Sequence, residues 1–203
     1  MPGEIFIITA PSGTGKTTLL KSLMAADPRL RFSISYTTRP PRPEEVDGKD
    51  YFFVSPAEFR RLREAGALAE WVEQFGYEYG TSREWVLEMG QKGADLIFDL
   101  DSRGARALKT EFPQGTWIFI LPPSLEELKR RLQSRGRLDA EELDCRLTQG
   151  RAELKEASWY DYLVVNEDLS TALAQLQAIV GAARCRTAQL WPQLAPRYLG
   201  HHP

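Results

Sequence analysis

The chain of 203 residues is short of several things, and each shortage removes a class of protein. It has two cysteines, Cys145 and Cys185, far apart and at no metal-binding spacing. A disulfide scaffold and a thiolate zinc site are therefore excluded, and two reduced thiols are expected. Its two histidines, His201 and His202, stand together at the C-terminal end, so chemistry that depends on an imidazole base is not expected. The net charge is only −2. That gives no broad attraction to nucleic acid, and any anion site must be local. The longest apolar runs, such as IFIITA and WIFIL, are far too short to span a bilayer. Glu4 and no basic segment precede the first of them, which does not fit a secretory leader, and a cytoplasmic location is expected. No internal repeat or low-complexity stretch interrupts the chain.

What is present is the material of a globular protein. Hydrophobic residues make up 42% and charged residues 27%, enough for one domain with a full core and an inserted subdomain. Four short apolar runs, at 4–9, 95–100, 116–121 and 162–166, read as strands buried on both faces. Helices are predicted between them. Residues 17–26 place Leu19, Leu20, Leu23 and Met24 on one face before Asp27-Pro28 stops the helix. Ser55-Pro56-Ala57-Glu58 is a capping box opening a helix that Gly66 ends, and Ser124-Leu125-Glu126-Glu127 repeats the pattern before a basic helix over 125–134. Two more helices are expected near 139–157 and 170–184. Alternating strands and helices argue an α/β fold with a parallel sheet and right-handed crossovers. Residues 32–82 break the rhythm. Pro40, Pro41, Pro43 and the Asp47-Gly48 turn disfavour helix there, and the Tyr, Phe, Val and Thr content favours short antiparallel strands in an inserted β-rich subdomain. The tail from Arg186 carries Trp191, Leu194, Tyr198 and Leu199 between prolines. Docking on the body, docking on a second subunit and a disordered extension all remain open for it.

The stretch APSGTGKTT, Ala10 to Thr18, follows the first strand and opens the first helix, the context that a phosphate-binding loop demands. Its Gly13 and Gly15 let the backbone approach phosphate oxygens, and the helix N-terminus presents partial positive charge. Lys16 is placed for β- and γ-phosphates and the Thr17 hydroxyl for Mg²⁺. Ala10 stands where the pattern has its first glycine, a mild departure if φ stays negative. The bland alternative is a glycine-rich connecting turn. A second anion site is suggested by Arg39 and Arg42, two guanidinium forks in a proline-stiffened segment, with Tyr51 and Tyr79 as phenolic donors. The alternative there is a solvated basic turn. Glu70 and Asp101 are acceptor-only when ionised and would suit the N1–H and N2–H₂ donors of guanine, while Ser35 and Thr81 could donate to its O6. Glu70 could equally be an ordinary exposed strand residue.

On APSGTGKTTLL, FSISYTTRPPRPEEVDGKDYFFVS, EYGTS, FDLDSRGA, ILPPSLEELKRRLQSRG and VVNED, the chain resembles the guanylate kinases from about Gly3 to Ala183. The resemblance implies a P-loop core (1–34 and 83–185), a GMP-binding insertion (35–82), a helical lid (124–150) and a tail (186–203). It implies phosphoryl transfer from Mg²⁺-ATP to GMP, with dGMP as a further candidate acceptor. By resemblance, Ala10, Pro11, Ser12, Gly13, Thr14, Gly15, Lys16, Thr17 and Thr18 hold ATP, and Asn166 lies near the adenine. Ser35, Glu70, Thr81 and Asp101 bind guanine; Arg39, Arg42, Tyr51 and Tyr79 bind the GMP phosphate. Arg131, Arg135 and Arg146 are the lid and core arginines, and Asp99 lies near the metal, acting through water. Lys16, Arg39, Arg131, Arg135 and Arg146 are the expected catalytic set. Neither a membrane nor nucleic acid is expected as a partner, and the oligomeric state is left open. Glu44, the pair Tyr77-Glu78, and Arg103 depart from the family pattern, with Arg103 standing where Gln is common. A catalytically inactive interaction module of the same family and a kinase of a phosphorylated sugar are the competing readings.

Overall fold

The computed structural model describes residues 3–74, 76–134 and 139–200. β1 (Ile5–Thr9) leads into α1 (Lys16–Ala26) and β2 (Leu30–Phe32). β3 (Tyr36–Thr37), β4 (Phe52–Phe53), α2 (Pro56–Glu64), β5 (Leu68–Gln74) and β6 (Tyr77–Ser82) follow. The chain then runs through α3 (Arg83–Gln91), β7 (Asp95–Asp99), α4 (Ser102–Glu111), β8 (Thr116–Leu121), α5 (Leu125–Ser134) and α6 (Ala140–Lys155). A 3₁₀ turn (Glu156–Trp159), β9 (Tyr162–Val165), α7 (Leu169–Arg184) and α8 (Thr187–Leu199) complete it.

The apolar runs form a five-stranded sheet in the order β2-β7-β1-β8-β9, parallel throughout. Because side chains alternate across a strand, β1 feeds two cores. Phe6 and Ile8 pack with Leu19, Leu23, Leu176 and Val180 of α1 and α7. Ile7 packs on the other face with Val86, Leu108, Phe98 and Phe119, under α3 and α4. Each fully buried Ile or Phe contributes about 2 kcal/mol, so the sheet is fixed from both sides.

A second sheet, β4-β3-β6-β5, forms within the proline-broken region. β5 and β6 are an antiparallel hairpin and β6 pairs antiparallel with β3, as expected. β3 and β4 are parallel, contrary to the expectation. The connection from Thr38 to Tyr51 is long enough to carry the chain back to the same end before β4 begins, which a tight hairpin could not do. Both serine N-caps form: Ser55 Oγ accepts the Glu58 N–H at 3.1 Å and Ser124 Oγ the Glu127 N–H at 3.1 Å. Gly66 adopts φ +66° just beyond α2.

Several elements were not legible. β2 is three residues long. α4 buries mainly small residues, Ser102, Gly104 and Ala105, with Leu108, so its apolar stripe is thin. The tail becomes α8 despite internal Pro192 and Pro196, and no α8 residue is buried.

Arg184, at the end of α7, ties the sheet's lower rim. Its guanidinium pairs with Asp27 after α1 and, at 2.6 Å, with Asp95 at the start of β7. Asp95 also accepts the Glu4 N–H at 2.8 Å. Burial opposes the charge on Asp27, but hydrogen bonds from Arg184 and Arg29 prevail and hold it at about 2. A lowered carboxylate stabilises the fold above its ordinary value of 3.8 and loses that contribution as pH falls toward 2. Replacing Arg184 by Ala takes the guanidinium from Asp95 and leaves Asp27 with only the exposed Arg29. It should cost about 3 kcal/mol in urea unfolding at pH 7, with a smaller difference from wild type at pH 3.

Candidate active site

The C-terminal ends of β1 and β7 lie side by side, with Ile8 opposite Asp99. In an open parallel sheet ligands bind beyond the strands' carboxyl ends, and here the two following loops line one cleft of about 350 Å³. The loop after β1 is Ala10 to Gly15. Gly13 and Gly15 have φ +93° and +97°, and neither position has room for a side chain. A Cβ on Gly15 would lie 2.6 Å from Asn166 Nδ2, and one on Gly13 2.9 Å from the Leu132 side chain. The loop is pinned from behind: the Thr14 carbonyl accepts Asn166 Nδ2 at 2.7 Å and Arg131 Nη1 at 3.2 Å. Gly15 caps α1 without any side-chain acceptor, so the first-turn N–H groups stay available to an anion. Lys16 pairs with Asp99 and donates to the Leu100 carbonyl at 3.4 Å. Thr17 and Thr18 are exposed on the first turn.

The opposite wall comes from the second sheet and α4. Ser35, Arg42, Tyr51, Glu70, Tyr79 and Asp101 all line the cleft with the loop residues, as do Arg146, Gln149 and Glu153 of α6. Glu70 is buried, not exposed. A register irregularity between Leu68 and Glu70 aims it inward, and it stands opposite Thr81 on β6. The Thr81 hydroxyl donates to Glu70 Oε1 at 2.7 Å, while Oε2 finds no partner among the described residues. That free oxygen lies where a Cβ on Gly104, in the first turn of α4, would be 2.9 Å away. Burial, then the hydrogen bond from Thr81 and the nearby Asp101 charge, leave Glu70 at about 7.

Arg39 does not line the cleft with the others. Its guanidinium donates to Glu45 at 2.7 Å and lies 5.4 Å from the centre of the Tyr51 ring. Glu45 also accepts the Arg42 N–H at 2.8 Å, so one carboxylate sets both arginines; sequence reasoning missed it, since a lone Glu in a turn gives no signal. Tyr51 is pushed up to about 12, by burial and then by the Asp99 charge; it therefore remains a donor at neutral pH. Arg131, Thr18 and Asn166 line a separate hollow of about 280 Å³ behind the loop. Arg131 is set there by Glu127 at 2.7 Å, and Arg146 pairs with Glu142 at 2.6 Å. Arg135 lies outside the described residues. Of the departures, Glu78 pairs with Arg63 at 3.2 Å, Glu44 is exposed, and Arg103 lies on Asp101.

This arrangement defines a phosphate-loop nucleotide-binding protein of the α/β class, with a second polar site facing the loop. The guanylate kinase family profile matches residues 3–183, and the chain belongs to that family. It is 48% identical over 188 residues to a guanylate kinase of Geobacter sulfurreducens, covering 93% of each chain. It is 46% identical to one of Aromatoleum aromaticum, covering 93% of this chain and 92% of the relative. The crystal structure of guanylate kinase from Anaplasma phagocytophilum superposes with a TM-score of 0.78 at 32% identity, over 97% of this chain and 95% of that one.

The raised Glu70 carboxylate has two consequences. Between its ordinary value of 4.5 and about 7 the folded protein holds the proton more tightly than the unfolded chain, so this group lowers stability as pH rises through that window. Accepting two N–H donors side by side, one on each oxygen, requires the ionised form. If Glu70 holds a guanine edge in this way, guanosine, which has no phosphate to titrate, should bind with affinity that falls roughly tenfold per pH unit below about 7, releasing a proton at pH 6. Glu70→Gln should bind it weakly and without that slope. Calorimetry in buffers of different ionisation enthalpy, between about pH 5.5 and 8, measures both.

Proposed function

We propose that the chain transfers the terminal phosphoryl group of ATP to GMP, giving ADP and GDP. One observation carries the reading: a single cleft has an uncapped helix N-terminus with Lys16 at one end and a buried carboxylate with a free oxygen at the other. A nucleoside monophosphate laid between them would have its base toward the carboxylates and its phosphate toward the loop. Guanine would give N1–H and the adjacent N2–H to Glu70, which Thr81 holds in place, with Asp101 facing the outer N2–H, and would take a hydrogen bond on O6 from Ser35. Its phosphate would meet Arg42, Tyr51 and Tyr79, with Arg39 adding charge from behind Tyr51. Adenine has a bare acceptor at N1, which the carboxylate would repel.

ATP would lie across the loop Ala10 to Thr18, its phosphates on the loop amides and Lys16, and its base toward Asn166 and the hollow lined by Arg131. Mg²⁺ prefers oxygen donors and keeps water and phosphate ligands. The exposed Thr17 hydroxyl and the Asp99 carboxylate, through water, are donors of that kind, and the fit is to an ion that arrives with ATP. When bound, it supplies neutralisation of charge on the β- and γ-phosphates. The chain's own work is positioning and charge. The GMP phosphate has a second pKa of about 6, so it is largely ionised at neutral pH and attacks in line without a general base. Lys16, Arg146, Arg131 and Arg135 would stabilise the transferring group. The division into core (1–34, 83–185), insertion (35–82), lid (124–150) and tail (186–203) is part of this reading. So are closure of insertion and lid against water, a cytoplasmic location and a role in guanine nucleotide recycling. Among the described residues no helix is long and apolar enough to cross a membrane. An inactive module would leave the exposed Thr17 and the paired Lys16 without a role, and a sugar phosphate would leave the Glu70–Thr81 pair unread.

Turnover of GMP with ATP and Mg²⁺ tests the reading, followed as GDP formed. Lys16→Ala should lower kcat about 10²- to 10³-fold. Glu70→Gln should raise the KM for GMP roughly 10- to 100-fold while leaving that for ATP unchanged. AMP should be inert. A folded wild-type protein that turns over no GMP, or accepts AMP equally well, would overturn it.

A further inference from the structure

Asp101 is held differently from Glu70. Each carboxylate oxygen can accept two donors, and in Asp101 all four places are filled from within the chain. Oδ1 accepts the backbone N–H groups of Arg103 at 3.1 Å and Gly104 at 2.8 Å, as the N-cap of α4. Oδ2 accepts Arg103 Nε at 3.2 Å and Nη2 at 3.1 Å. The same Nη2 donates to the Glu73 carbonyl at 2.7 Å. The planar guanidinium is thus fixed between α4 and β5, and that second anchor keeps it on Asp101. Glu70, by contrast, keeps Oε2 free.

Guanine presents three N–H donors on this edge, one on N1 and two on N2. A bidentate pair with Glu70 uses the N1–H and the inner N2–H. The outer N2–H is left facing Asp101, whose acceptor positions are already taken. We infer that Arg103 is a specificity-determining residue: by occupying Asp101 it withdraws the acceptor for the outer hydrogen of the 2-amino group and narrows the preference for GMP over IMP. IMP carries the same N1–H and O6 but no 2-amino group, so it loses less here than it would against two free carboxylates. The inference rests on reading Glu70 and Asp101 as the base site; it does not require phosphoryl transfer.

The test compares GMP with IMP on wild type, Arg103→Gln and Arg103→Lys, by calorimetric affinity and by kcat/KM. Gln lacks the charged fork and frees Oδ2. A hydrogen bond to an ionised acceptor is worth about tenfold or more, so Arg103→Gln should raise the GMP:IMP affinity ratio about tenfold. The rise should come from tighter GMP, with IMP changed less than twofold. Arg103→Lys, whose ammonium can fill only part of the fork's place, should fall between. An unchanged ratio overturns the inference. So does an equal loss of affinity for both nucleotides, which would make Arg103 only a strap holding β5 to α4. The Arg103 side chain is 60% exposed, and thermal melting will show whether each variant folds; if Arg103→Gln does not, the Arg103→Lys ratio decides. A shifted binding ratio without turnover would sink the kinase reading and leave this one standing.

Discussion

The Lys16–Asp99 pair is the contact on which the rest of the site depends. It joins the first residue of α1 to the last residue of β7, across strands that are already neighbours in register. A parallel sheet sends consecutive crossovers out from the same edge, so the loops after β1 and β7 open together. The pair fixes how far apart they open. One loop becomes a cradle of backbone amides, the other delivers Asp101 and the N-terminus of α4. An internal carboxylate also offsets the desolvation of an ammonium that is largely covered, keeping it directed at the place where phosphates would arrive.

From that junction the charge distribution gives the cleft a direction. Carboxylates collect at the end made by β5 and α4, where Glu70 is too buried to ionise freely. Cations and phenolic donors collect at the end made by β3 and the connection between β3 and β4. Glu45 belongs to that end in an indirect way: it accepts from Arg39 and from the Arg42 backbone, and so sets a fork and a turn at once. A phosphate laid against Glu70 and Asp101 would meet two carboxylates, beside an Arg103 already engaged. On the proposed reading, this polarity of the cleft sets the orientation of a bound nucleotide.

Much of this was legible in the sequence, for reasons that differ by element. The sheet strands were legible because burial on both faces forces unbroken apolar runs, and the loop because phosphate chemistry fixes its glycines and lysine at close spacing. The serine N-caps of α2 and α5 are local and were read correctly. The parallel β3–β4 pair was not, because strand direction depends on a long connection rather than on residue type. α4 was missed because its buried face is made of Ser102, Gly104 and Ala105, which carry little periodic signal. That omission hid the second role of Asp101 as an N-cap and its engagement by Arg103. Glu70 was seen as a chemical possibility, but its burial follows from a strand irregularity and from Thr81 across the hairpin, neither of which spacing reveals. Arg39 and Arg42 were placed together by proximity in sequence, and the fold sets both on Glu45, a partner that spacing did not reveal.

The central claim is that the cleft in front of the loop and the hollow behind it hold two nucleotides with their phosphates meeting above Lys16. A compound with adenosine and guanosine joined 5′ to 5′ through five phosphates tests it directly, by equilibrium titration against ATP and GMP separately. If both ends engage, the second binding event is intramolecular and the linked compound should bind about 10²-fold or more tighter than either nucleotide. That gain should vanish in Lys16→Ala and in Glu70→Gln alike. Binding no tighter than ATP alone, or a gain that survives Glu70→Gln, would contradict the account.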